Sequence, residues 1–177
     1  LLDDTWMRVV TAKTYDWKIR EVNQATTPTT WQGDVWSFTT SEYLVVEDFE
    51  SYTDQAGGEI FTTWIDGYGT TTNGAQVGYL QAPFAEKTII HGDKQSMPLS
   101  FSNAGGIASS EAVRTFASPQ DWTQGGVKTL VLYFYGDPAN TAGQVYVKIN
   151  GTKVLYSGNA NALKNPYWDQ WNIDLAA

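Results

Sequence analysis

The chain has 177 residues, 42% of them hydrophobic and 17% charged, which is core material for one ordinary domain or a domain plus a fragment. Its net charge of −8 argues against nucleic acid and anionic membranes as partners, since both favour a basic face. Cysteine is absent and histidine occurs once, which excludes disulfides, thiol chemistry and a zinc site built on Cys or several His.

No apolar run approaches the roughly 18 residues that span a bilayer. Aromatic residues make up 14%, with eight Trp and ten Tyr among many Thr, Asn and Gly. That profile fits a secreted or cell-surface bacterial β-protein. The first residue is Leu1 and not Met, so the chain is read as an excerpt of a longer protein.

In chain order, residues 14–22 ("TYDWKIREV") alternate, with Tyr15, Trp17 and Ile19 on one side and Asp16, Lys18 and Arg20 on the other. Residues 34–40 ("DVWSFTT") alternate as well, after the turn-forming "TTPTTWQG". Two strands bury too little to stand alone as a domain. The pieces "TYDWKIREVN" and "TWQGDVWSFTT" resemble the last two strands of fibronectin type III-like modules in secreted bacterial polysaccharide-processing proteins. By that likeness residues 1–42 are the remnant hairpin of such a module plus a linker. Its apolar face is expected to pack on the next domain or on a second copy, giving a dimer.

From residue 43 the strand signals continue. Residues 44–52 ("LVVEDFESY") begin like a buried strand yet carry Glu47, Asp48 and Glu50. The segment 62–80 reads as a long Gly/Thr-rich loop, with Tyr68 and Tyr79 reachable and Trp64 buried. "QSMPLSFS" alternates Met97, Leu99 and Phe101 against Ser and Pro. "TLVLYFYG" sets Leu130, Leu132 and Phe134 against Val131, Tyr133 and Tyr135. "QVYVKING" and "TKVLY" meet at Asn-Gly, a hairpin signal. "WDQWNIDL" places Trp171, Ile173 and Leu175 on one face. Many short strands joined by Gly, Asn and Pro turns predict an all-β chain, a β-sandwich of jelly-roll type over residues 43–177.

In a strand, Asp48 and Glu50 share a face and Glu47 points away, where solvent is expected. The spacing sets their Cβ atoms roughly 6.5–7 Å apart, close enough to share one hard cation. Asp174 in "NIDL" is an acid where a buried strand would not want one, and first and last strands are often neighbours in closed sandwiches. The competing reading is acids at solvated strand ends, balanced by Lys94 or Lys87. The pieces "EDFES", "HGDKQSMPL" and "WNIDLA", in that order, resemble the calcium-bearing β-jelly-roll carbohydrate-binding modules. The resemblance implies a structural Ca²⁺ held by side-chain oxygens of Glu50 and Asp174 and the Lys94 main-chain carbonyl, with Asp48 as a further ligand or support.

A sugar ring offers a weakly apolar C–H face and a girdle of hydroxyls, which suit aromatic planes and amide or cationic donors. Tyr133, Tyr135 and Tyr146, with Lys148 beside them, are expected to form such a surface, or else to lie covered by a loop or by the N-terminal hairpin. Tyr68, Tyr79 and Trp168 are rim candidates, Trp122 and Trp171 read as core, and Arg114 pairs with a carboxylate or bonds a sugar. His91 sits at an expected turn, in a surface or capping role. The expected function is non-catalytic polysaccharide binding that targets an attached enzyme. A jelly-roll glycoside hydrolase or polysaccharide lyase is the first alternative. Against it, "EDFE" lacks the Glu-x-Asp-x-x-Glu spacing of laminarinase-like enzymes, and the inner strands carry no acid pair. A structural or adhesive β-sandwich of a surface protein is the second.

Overall fold

A computed structural model of the chain describes residues 12–176. Residues 1–11 and 177, parts of the expected modules 1–42 and 43–177, lie outside the described residues. The chain divides into two units, with the change at Val46 and Glu47, four residues later than expected; Gln124–Gly126 groups with the first unit.

The first unit holds β1 (Thr14–Trp17), β2 (Arg20–Val22), β3 (Thr30–Gln32) and β4 (Trp36–Thr39). β1 pairs antiparallel with β4 and β2 with β3, so the expected hairpin forms as two short ladders broken at Lys18 and Ile19. Tyr15 stacks on Phe38 with centroids 5.5 Å apart, and Trp17 meets Trp36 at 5.1 Å. Trp17 and Trp36 are 43% and 59% exposed, so these rings cover one another more than they are covered.

The second unit contains a short helix, α1 (Ile60–Thr63), and β5 (Trp64–Ile65), β6 (Ala75–Val77), β7 (Leu99–Phe101), β8 (Val113–Arg114), β9 (Thr129–Tyr135), β10 (Tyr146–Ile149), β11 (Thr152–Leu155) and β12 (Trp168–Asp174). Its ladders are all antiparallel: β5 with β8, β6 with β7, β9 with β12, and β10 with β11. The chain is thus all-β apart from short helical turns.

Three local readings change. Residues 44–52 form no strand, because the acids turn the backbone: Phe49 N–H donates to Glu47 Oε1 at 2.8 Å and Glu50 N–H to Asp48 Oδ1 at 3.0 Å. Acidic side chains that accept nearby amides compete with a ladder in this way. The last strand, β12, pairs with β9 along its whole length and not with a first strand. The expected 62–80 loop contains β5 and β6, each paired with a segment distant in sequence.

The core gathers Tyr52, the fully buried Ile60 and Val77, with Phe49, Phe61, Trp64, Met97 and Ala112 packed against them. Burying Ile60 contributes about 1.5–3 kcal/mol by transfer alone. Leu99 and Phe101 remain 43% and 36% exposed. Close backbone approach explains one glycine at the start of β6. A Cβ on Gly74 would lie 1.8 Å from the Ser102 carbonyl oxygen, and Ser102 N–H donates to Gly74 O at 3.0 Å. Among the described residues no helix is long and apolar enough to cross a membrane.

Candidate functional site

β9 and β12 sort their residues by parity. Directly opposite residues share a face, and the register pairs Leu130 with Ile173 and Leu132 with Trp171. Trp171 and Ile173 are buried, so this is the core side, as the alternation implied. The other side carries the pairs Tyr135 with Trp168, Tyr133 with Gln170, and Val131 with Asn172. Tyr133 and Val131 are 40% and 43% exposed, and Gln170 and Asn172 are exposed too.

On that outward face the rings form a corner. Tyr135 meets the Trp168 indole edge-on at 5.6 Å. His91, from the segment before β7, stacks on Tyr133 with centroids 3.7 Å apart and meets Trp168 edge-on at 5.3 Å. The Trp168 indole N–H donates to Ile90 O at 3.1 Å, which pins the segment carrying His91 to the ladder. Polar groups continue the row: Tyr133 hydroxyl donates to Gln170 Oε1 at 3.3 Å, and Gln170 Nε2 donates to Asn172 Oδ1 at 2.7 Å. The result is a ring cluster, with Tyr133 and His91 exposed and Tyr135 and Trp168 half-buried, beside exposed amides. Aromatic surface next to amides suits a ligand with apolar C–H faces and many hydroxyls.

Of the expected binding residues, Tyr133, Tyr135 and Trp168 come together. Gln170, Asn172 and His91 belong with them and were missed. Parity in "WDQWNID" would have found the two amides, since they alternate with Trp171 and Ile173. No local signal places His91 on β9.

Tyr146 and Lys148 do not join that group. Their strand pairs with β11 and not with β9, and both side chains contact Glu111: Tyr146 hydroxyl at 2.5 Å and Lys148 Nζ at 2.5 Å. Tyr68 is 66% exposed, but no ring contact ties it or Tyr79 to Tyr133 among the described residues. Tyr79 donates its hydroxyl to Glu86. That bond, with burial, pushes the Tyr79 hydroxyl up to about 12.

Arg114 takes the carboxylate partner. It forms an ion pair with Glu47, and its guanidinium lies 4.5 Å over the Phe116 ring. Glu47 is therefore not solvated as expected; its side chain is only 11% exposed. It also accepts from Tyr52 hydroxyl at 2.7 Å and Trp64 Nε1 at 3.2 Å. Burial foremost, then the bond to Glu47, pushes Tyr52 up to about 12. Trp64 packs on Phe49 in the core, as expected.

The expected calcium ligands are spread differently from the strand reading. Among the described residues no cluster of three or more acidic or His side chains is suited to a metal. Asp48 and Asp174 are exposed, and each accepts an amide of its own turn, from Glu50 and Ala176 respectively. Glu50 stands apart. Its Oε1 accepts the Lys94 and Gln95 amides at 3.0 and 3.2 Å, while Oε2 is buried with no hydrogen-bond partner. Buried Gln95 bridges beneath it, donating to Phe49 O at 2.5 Å and Tyr52 O at 3.1 Å.

Comparison of the chain with protein-family models, with curated proteins and with solved structures finds no match in any of the three.

Proposed function

We propose that the chain is a non-catalytic polysaccharide-binding module of the calcium-bearing jelly-roll kind, following a fibronectin type III-like hairpin in a secreted modular protein. The observation that carries this reading is the outward face of β9 and β12. There Tyr133, Tyr135, Trp168 and His91 cluster beside Gln170 and Asn172. Rings that gather on one face, with Tyr133 and His91 exposed among them, are informative in a way that scattered ones are not. Stacking on sugar C–H faces supplies the affinity, and the amides read hydroxyls. Affinity electrophoresis through gels of β-glucan, xylan, mannan and pectin tests it. Tyr133→Ala should weaken binding about tenfold, the size of one lost aromatic contact, with the melting temperature nearly unchanged. Retention on none of these glycans by the native chain would overturn the reading.

The unpartnered Glu50 oxygen supports a calcium ion at this carboxylate, because a buried carboxylate oxygen without a donor is costly unless a cation faces it. Glu50 is the residue that would hold the ion, and further oxygens would have to complete its shell, since calcium takes about six to eight. The ion would brace the 47–52 turn against the Lys94 and Gln95 backbone and supply no chemistry to the sugar. Calcium should raise the melting temperature, equivalent to about 2.7 kcal/mol at a hundredfold excess over Kd, and EDTA should reverse it. Glu50→Gln should abolish the response. A calcium response retained in that variant would place the ion elsewhere.

A further inference from the structure

The outward side of the β10–β11 hairpin carries Tyr146, Lys148, Lys153 and Leu155, because the register pairs Tyr146 with Leu155 and Lys148 with Lys153. Like charges directly opposite one another repel. This chain holds two of its 11 basic residues in that relation, although it has 19 acidic ones.

Neutralisation of the pair is incomplete. Glu111 is the only carboxylate in ion-pair contact with it among the described residues, and it meets Lys148. The same Glu111 Oε1 also accepts the Tyr146 hydroxyl. Lys148 beside Glu111 holds its carboxyl below the usual range, so it stays ionised near neutral pH. Burial, then the bond to Glu111, pushes the Tyr146 hydroxyl up, so it stays neutral. One negative group therefore faces two ammonium groups. Lys153 Nζ lies 3.8 Å from the Tyr146 ring centroid. That contact orients the ammonium and leaves its N–H donors for an incoming acceptor.

We propose that this hairpin face is a subsite for a carboxylate-bearing sugar, a uronate unit of an acidic polysaccharide. The Lys153 ammonium meets the carboxylate there, and the Tyr146 ring edges the sugar. The inference rests on the glycan-binding reading above and names the class of glycan. A carboxylate is favoured over a sulfate ester because its charge sits on two basic oxygens that accept strongly from a compact ammonium, whereas a sulfate ester spreads its charge over three weakly basic ones.

The test uses the whole chain in affinity electrophoresis against four polymers: polygalacturonate, its fully methyl-esterified form, a sulfated galactan and a neutral β-glucan. At low salt the native chain should bind polygalacturonate about twofold to fivefold more tightly than the methyl ester, the range for one exposed charge pair. Salt should erase most of that difference. Lys153→Gln, with an unchanged melting temperature, should bind the two forms equally, whereas Tyr133→Ala should weaken both alike. Equal binding of both forms by the native chain overturns the uronate subsite and leaves glycan binding standing. A preference for the sulfated polymer also overturns it. Failure to bind any of the four overturns the uronate subsite, while retention on xylan or mannan would leave the glycan-binding reading standing.

Discussion

Glu47 shows how much one side chain carries in this molecule. Its carboxylate accepts from the Phe49 amide, the Tyr52 hydroxyl and the Trp64 indole, and it ion-pairs with Arg114. Removing it takes one shared acceptor from three donors and from a largely covered guanidinium. Glu47→Ala should cost about 3 kcal/mol, the low end for breaking a buried pair, read as a shift of the urea midpoint. A loss under 1 kcal/mol would show that solvent reaches Arg114 freely. Sequence parity sent Glu47 to solvent because it assumed a strand, and its acceptor role depends on segments 5, 17 and 67 positions away. Glu86 makes a second residue-scale case. The Thr88 hydroxyl, then the Tyr79 hydroxyl, holds its carboxyl down from 4.5 to about 2. Its stabilising contribution is complete above pH 4.5 and is lost as pH falls towards 2. Thermal melts in Glu86→Gln should therefore show a shallower acid decline than the native chain. Identical acid limbs would remove Glu86 from the cause.

At the scale of elements, the turn between β10 and β11 and the ladder of β9 with β12 follow from local rules. Asn150 and Gly151 sit at φ +49 and +85, the left-handed region that Asn and Gly tolerate best and that a two-residue hairpin requires. Gly151→Val should cost about 1–2 kcal/mol by placing a branched Cβ in that region, measured by chemical denaturation. A neutral effect would mean that the turn relaxes to another type. Period-two alternation in "TLVLYFYG" and "WDQWNID" gave both faces of that ladder correctly, because burial on one side alone decides it. The same logic failed at 44–52. Phe49 sits there at φ +63, and side chains two residues back take its amide and that of Glu50. Three acids among apolar neighbours looked like a charged strand and are a self-capped turn.

Over the whole molecule, the pH profile should also fall on the alkaline side. Tyr52 and Tyr79 are both raised from 10 to about 12, so their neutral forms favour the native state. Their contribution is present below pH 10 and is lost as pH rises towards 12. What the sequence by itself determined is the all-β class, the first-unit hairpin, the Asn-Gly turn, and which side of β9 and β12 is buried. Each depends on neighbours within a few residues, through side-chain alternation and turn conformation. Only the tertiary structure decided that His91 lies on Tyr133, that Glu47 meets Arg114, and that Tyr146 belongs with Glu111 and not with Tyr133. Those contacts join segments 42, 67 and 35 positions apart. They depend on which ladders and loops pack together, and a two-residue period carries no information about that.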